Sequence, residues 1–328
     1  MPTSVLDQLW TSIADAGREL VRGRLGGSRK RASVEGLCRD LLSTRGDASG
    51  AALARELVEA YRTMTDQERL AFFQMLAKDY AADQARILAA METYRAEPTP
   101  RHVQALRLAC EAPRHELFRR MNIAPGGTRA IIDLRTQLLA YLGDHPELAA
   151  VDADLHDLLT GWFNPGFLTL ARIDWNSPAA LLEKFLRYEK VHRMHALEDL
   201  KRRLTADRRW FAFFHPALPD EPLIFVEVAL TREIPGSIQS LLAEDRSLLP
   251  PQDARTAVFY SISNCQPGLK GVSFGNFLIK QVVEELTREV PSLATFVTLS
   301  PAPGFGRWLD RIAKEPAGAA TEAGRAEL

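Results

Sequence analysis

The residues best placed to do chemistry lie between Gly268 and Ser300. Gly268, Gly271 and Gly275 fall in one short run with Lys270 among them. Glycine lets a backbone approach a bulky group and adopt positive φ. Where such a run opens a helix, its free N–H groups and the positive end of the helix dipole bind anions. Lys270 adds a cation and points to a phosphate. The spacing G-x-x-G-x-x-x-G is neither the dinucleotide fingerprint nor the P-loop. Glycines that serve only a tight strand-to-helix turn are the alternative. Ser300 follows an apolar run that reads as a strand, and carboxyl ends of parallel strands are where open α/β sheets take ligands. A serine that merely begins a turn is the alternative there. Pro301 and Pro303 stiffen the chain behind it and remove two backbone donors.

Other reactive side chains have blander readings. His215 ends a strand-like run and is the in-chain candidate for a base, although its place before a turn suits a structural role. His192 and His195 read as solvated histidines at a helix end rather than a metal pair, so no metal site is assigned. Cys265 adjoins the glycine run, but no histidine is near it in sequence, and it reads as a small buried residue.

The elements that must position these residues follow from periodicity. Thr256 to Ser263 is β-branched and aromatic, a strand pattern. From Asn276 the period becomes helical, with Phe277, Leu278, Val282, Val283 and Leu286 on one face, and Pro291 ends it. Ala294 to Leu299 is a second strand. Strand, crossover helix and strand make a βαβ unit, whose strands should be parallel and buried on both faces. Upstream, Trp210 to Phe214 and Leu223 to Leu230 read as a hairpin across the turn-rich residues 215–222. A helix is expected from Ser177-Pro178, with proline at its first position, and a short one over Ile234 to Leu242.

Residues 1–165 carry helical patterns throughout. They run over 4–22, Ser33 to Leu42, Ala51 to Tyr61, a capping box at Thr65 and Glu68 leading towards Tyr94, and then four shorter segments as far as Trp162. Phe72, Phe73, Met75 and Met91 read as core. The basic link at 26–31 reads as a solvated loop, and the Ala- and Gly-rich tail 315–328 is expected to be poorly ordered. The fold class is therefore α+β, with a helical domain over 1–165 and a mixed domain over 166–328.

Composition narrows the partners. The chain has 328 residues and a net charge of −1, which gives no argument for nucleic acid or a membrane surface. No apolar run approaches the ~20 residues that span a bilayer. The three cysteines, Cys38, Cys110 and Cys265, lack metal or disulfide spacing, and no leader pattern is present, so a cytoplasmic location is expected.

Longer motifs carry a resemblance. PGLKGVSFGNFLIK (267–280), LSPAPGF (299–305), FFHPALPDEPLIFVEVALT (213–231) and VFYSIS (258–263) closely resemble malonyl-CoA decarboxylases. The similarity runs from Trp162 to Trp308 and more weakly over the helical region before it. It implies an N-terminal helical domain that mediates homo-oligomer contacts and a catalytic domain of the acetyltransferase (GNAT-like) fold. It further implies that Lys270, Gly271, Val272, Ser273, Phe274, Gly275 and Asn276 hold the pyrophosphate of coenzyme A. Ser300 matches the family's catalytic serine. The implied substrate is malonyl-CoA, with no cofactor beyond the coenzyme A carried by that substrate. The family's second catalytic residue is a histidine well downstream of the serine. None of the seven histidines here follows His215, so the catalytic domain is expected to be incomplete at its C-terminus and to lack that proton donor. Two other functions remain open: an acyl-CoA-binding module without chemistry, and a GNAT-type acyltransferase.

Overall fold

The computed structural model describes residues 33–43, 46–274 and 277–314. The expected helix at 4–22, the basic link at 26–31 and the tail 315–328 lie outside the described residues. The chain divides into two compact units that are not continuous in sequence. The first takes the residues up to Thr169 together with Phe213–Leu223 and Cys265–Leu278. The second takes Leu170–Ala212, Ile224–Asn264 and the chain from Ile279 onward.

The first unit is built on helices α1 (Val34–Ser43), α2 (Asp47–Arg62), α3 (Asp66–Lys78), α4 (Gln84–Ala96), α5 (Pro100–Cys110), α6 (Pro113–Met121), α7 (Gly127–Tyr141) and α8 (Ala149–Trp162). The capping box forms as its sequence requires: Thr65 N–H donates to Glu68 Oε2 at 2.8 Å and Glu68 N–H to Thr65 Oγ1 at 3.3 Å. The pattern leading towards Tyr94 is two helices, because Asp83 accepts from Ala85 N–H at 2.9 Å and starts α4 afresh. Helix α5 starts on Thr99 with Pro100 in its first turn, where a missing N–H costs nothing. The core gathers Leu57, Tyr61, Phe72, Phe73, Leu117, Phe118, Ile131, Leu134 and Leu155. Tyr61 lies tilted 5.5 Å from Phe72 and edge-on 6.2 Å from Phe73, the latter a geometry that aromatic quadrupoles favour. Buried Arg114 ties three helices at once. It donates to Asp154 Oδ2 at 2.6 Å, to the Leu76 carbonyl at 3.2 Å and to the Ala150 carbonyl at 3.4 Å. Met91, expected in the core, is 52 % exposed, because α4 packs on α5 and buries none of its own residues.

Among the described residues the sheet has five strands in the order β1-β2-β3-β4-β5. They are β1 (Thr169–Ile173), β2 (Arg208–Phe214), β3 (Ile224–Thr231), β4 (Thr256–Asn264) and β5 (Thr295–Thr298). Strands β3 and β4 run antiparallel, β4 and β5 parallel, so the sheet is mixed and the fold is α+β. Helices α9 (Ala179–Tyr188), α10 (Leu197–Arg203), α11 (Ile238–Leu242), α12 (Phe277–Glu289) and α13 (Phe305–Lys314) are interleaved with it. Phe185 of α9 packs 5.6 Å from Trp210 and 5.2 Å from Phe225, and those two rings stack at 5.7 Å. A second apolar cluster joins Ala229, Leu241, Val258 and Tyr260, with Val297 and Leu299 against it.

Three expectations change. Strand β2 begins at Arg208, ahead of its apolar run, because its two arginines are buried with partners. Arg208 donates to the Leu241 carbonyl at 2.6 Å and Arg209 to Glu289 Oε1 at 2.8 Å. Strand β5 is only half-buried rather than covered on both faces, since it is last in the strand order. Pro178 precedes α9 as its cap instead of occupying its first position, a one-residue shift. Among the described residues, no helix is long and apolar enough to cross a membrane.

Candidate functional site

The glycine-rich loop joins β4 to α12 and belongs to the unit that contains the helices. Its approach is pinned first. Cys265 N–H donates to the Leu223 carbonyl at 2.9 Å. Buried Gln266 donates to the Pro222 carbonyl at 3.0 Å and accepts from Arg129 at 3.2 Å. A single 3₁₀ turn over Pro267–Leu269 follows. Gly268 lies so close to α7 that an added Cβ would stand 2.1 Å from the Ile132 carbonyl oxygen, which only glycine tolerates.

Arg135 of α7 reaches the loop from the side. Its side chain is 3 % exposed. It donates to Asp152 Oδ1 at 2.8 Å, to the Gly268 carbonyl at 2.8 Å and to the Lys270 carbonyl at 2.9 Å. Gly271 then adopts φ +83°, a left-handed conformation, and an added Cβ there would lie 3.3 Å from His156 Nε2. Lys270, Gly271 and Ser273 are exposed, whereas Val272 and Phe274 are buried and anchor the loop. Gly275 and Asn276 lie outside the described residues. The expected site residues Lys270 to Phe274 thus fall in one segment with two apolar anchors and an exposed lysine.

Ser300 belongs to the other unit. The β4–β5 ladder ends with Thr298 opposite Phe259, and Leu299 N–H donates to the Phe259 carbonyl at 2.9 Å. Ser300 comes next and is exposed, one residue past the last strand hydrogen bond. A buried polar cluster occupies the same sheet. The β3–β4 register shifts between Glu227 and Val228, pairing Glu227 with Ser261 and Val228 with Phe259, so Tyr260 is the extra residue of a bulge. Glu227 is fully buried, and Arg203 reaches both its oxygens at 3.3 Å. Ser261 donates to Glu189 at 2.6 Å, and His192 N–H donates to the same carboxylate at 2.6 Å. Burial pushes the Glu227 carboxyl well above its ordinary range; Arg203 opposes this and Glu189 adds to it. Burial also acts to raise Glu189, but hydrogen bonds from Glu227, Ser261 and His192, with the charge of Arg203, hold it below the usual range. The two carboxyls are thus pushed in opposite directions, Glu227 towards holding a proton and Glu189 towards ionisation.

His215 is a packed ring. Its Nδ1 accepts from Ala217 N–H at 3.1 Å, and Phe163 lies 4.7 Å away. Burial lowers its pKa, against a hydrogen bond to the Trp162 backbone, so the ring is neutral at pH 7. His192 Nε2 contacts the Tyr260 carbonyl at 3.1 Å, and exposed His195 donates its backbone N–H to Asp199.

Arg135, Asp152, Glu189 and Glu227 were not picked out by sequence reasoning. Glu227 had a signal, being the one charge inside the strand pattern IFVEVAL. Arg135 had none, because its loop partners are 133 and 135 positions away.

Two family models match the chain. The malonyl-CoA decarboxylase C-terminal domain covers residues 166–328 and the malonyl-CoA decarboxylase N-terminal domain covers 80–163. A crystal structure of malonyl-CoA decarboxylase from Rhodopseudomonas palustris is 51 % identical, with a TM-score of 0.81, over 87 % of this chain and 70 % of that one. The Agrobacterium vitis enzyme structure is also 51 % identical, with a TM-score of 0.83 and the same coverage. The curated mitochondrial malonyl-CoA decarboxylase of Anser anser anser is 39 % identical over 270 residues, 77 % of this chain and 53 % of that protein. The chain thus spans about half the length of that curated relative. With both family domains matched and 51 % identity to each of two solved relatives over 87 % of its length, the chain belongs to the malonyl-CoA decarboxylase family.

Proposed function

We propose that this chain binds malonyl-CoA and converts it to acetyl-CoA and carbon dioxide. The observation that carries this reading is the loop itself: a strand-to-helix turn with left-handed Gly271, exposed Lys270 and buried Val272 and Phe274 anchors, in a chain of this family. Lys270 and the backbone of Gly271 to Asn276 hold the pyrophosphate.

The chemistry needs no metal or organic cofactor, because the thioester carbonyl accepts the electrons. The bond between Cα and the carboxylate breaks, carbon dioxide leaves, and the electron pair becomes the thioester enolate. A proton from solvent water then adds to Cα. The Ser300 hydroxyl donates a hydrogen bond to the thioester oxygen as its charge grows, an effect of ~10²–10³-fold for one well-placed donor. Homo-oligomer contacts through the helices and a cytoplasmic location belong to the same proposal.

A second reading is a module that holds an acyl-CoA without turning it over. The state of His215 favours it: the in-chain candidate base is packed, neutral and already an acceptor from Ala217. Carbon dioxide release from malonyl-CoA separates the two. Release by the wild type that drops ~10²–10³-fold in Ser300→Ala supports the decarboxylase. Tight coenzyme A binding with no release supports the module.

A further inference from the structure

The helical region supplies a residue to the loop that no motif marks. We propose that Arg135 is a positioning residue for the anionic ligand: it orients the Lys270–Gly271 peptide so that the Gly271 N–H faces the bound pyrophosphate. The inference rests on the reading of this loop as the coenzyme A site.

The argument is geometric. A trans peptide is planar, and its C=O and N–H point in opposite directions. One guanidinium nitrogen of Arg135 holds the Lys270 carbonyl at 2.9 Å and the Gly268 carbonyl at 2.8 Å. The Gly271 N–H, on the far side of the Lys270 peptide, therefore points away from Arg135. Among the described residues no acceptor meets that N–H, although the neighbouring amides are used inside the turn: Leu269 with Gln266, Lys270 with Pro267, and Val272 with Leu269. That donor belongs to an exposed residue beside exposed Lys270. Left-handed φ at Gly271 lets the chain turn there without strain.

The guanidinium is fixed in turn. Asp152 of α8 accepts from its Nε at 2.8 Å, so the nitrogen that meets both carbonyls belongs to a planar guanidinium that is also held at its Nε. Ile132, one turn before Thr136 on the same helix, abuts Gly268. Helices α7 and α8 thereby set the loop backbone before any ligand arrives, which is the preorganisation that anion recognition rewards.

The test uses the whole 328-residue chain. Coenzyme A affinity is measured by calorimetry, and glycine amides are followed by nuclear magnetic resonance after ¹⁵N-glycine labelling. In the wild type, coenzyme A should shift the Gly271 amide. In Arg135→Met, affinity should fall about 10- to 100-fold, the cost of misplacing a binding group by an ångström or less. The Gly271 amide should move in the free protein and lose its response to ligand, while Gly143 and Gly161 stay in place. Arg135→Lys, which keeps the charge and a donor, should recover part of the affinity. Unchanged affinity and an unchanged Gly271 amide would overturn the role of Arg135. So would affinity lost while every glycine amide moves together. If Arg135→Met does not fold, Arg135→Lys and Asp152→Asn are read by the same two criteria. A wild type that binds no coenzyme A removes the loop reading itself, whereas equal binding by wild type and Arg135→Met removes only the role of Arg135.

Discussion

At Glu227 a carboxyl is fully enclosed by protein, opposite an arginine and beside a second carboxylate. Burial and the adjacent Glu189 carboxylate favour a proton on Glu227, and the Arg203 charge opposes them. The pH consequence follows from the direction of the shift. Folded Glu227 binds its proton more tightly than unfolded glutamate does. Its contribution to stability is full below the unfolded pKa of about 4.3 and is lost as pH rises through the folded value. Glu227→Gln removes that titration while keeping the shape. The stability of the variant relative to wild type should therefore rise with pH from about 4.3 and level off above the folded pKa. Denaturant unfolding at matched pH values checks this, and a difference that is flat with pH would refute it. Glu189 runs the other way: with its pKa lowered, its contribution is present above about 4.3 and disappears as pH falls through the folded value.

Thiol chemistry separates cleanly at the same scale. Cys38 and Cys265 are buried and Cys110 is exposed. Burial, with the charge of Glu35, pushes the Cys38 thiol up to about 12, far from the thiolate that alkylating reagents need. Native alkylation should label Cys110 within minutes and leave Cys38 until the chain unfolds; mass spectrometry of digested peptides reads it. Early labelling of Cys38 would contradict its burial. The glycine run around Lys270 and the strand end before Ser300 were legible because local spacing marks them. Arg135 was not, since a buried arginine inside a helical pattern looks like any solvated one until its distant partners are known.

Among the elements, the loop between β4 and α12 depends on contact with α7. Gly268→Ala would drive a methyl group into the Ile132 carbonyl, with a starting separation of 2.1 Å. Overpacking against backbone costs on the order of 1–3 kcal/mol. The denaturation midpoint should fall accordingly, and an unchanged midpoint would mean that the turn does not sit against α7. Periodicity sufficed for α3, whose capping box reads directly from Thr65 and Glu68, and for the parallel β4–α12–β5 unit. It failed for β1, which has five residues, only Ile173 of them buried, and a polar Arg172 before it. Arg172 and Arg209 share Glu289 at the end of α12, at 2.6 and 2.8 Å, a tertiary arrangement that no local window contains. The start of β2 escaped for the same reason.

For the whole molecule, sequence order and spatial grouping differ. Segments 213–223 and 265–278 fall with the helices although they sit within the strand-rich part of the chain. Helical and strand-rich stretches were legible from composition and period; this grouping was not, because it is set by pairs such as Arg129 with Gln266 and Arg135 with Lys270. A ligand that binds only the folded state stabilises it by mass action, by about 2.7 kcal/mol at a hundredfold excess over Kd. Coenzyme A should accordingly raise the melting temperature, and less so in Arg135→Met.

The central claim is tested most directly by the product balance when the chain is incubated with malonyl-CoA. Acetyl-CoA formed one-for-one with malonyl-CoA consumed, and lost in Ser300→Ala, is the predicted result. Free coenzyme A thiol with malonate, or substrate recovered intact, would contradict it.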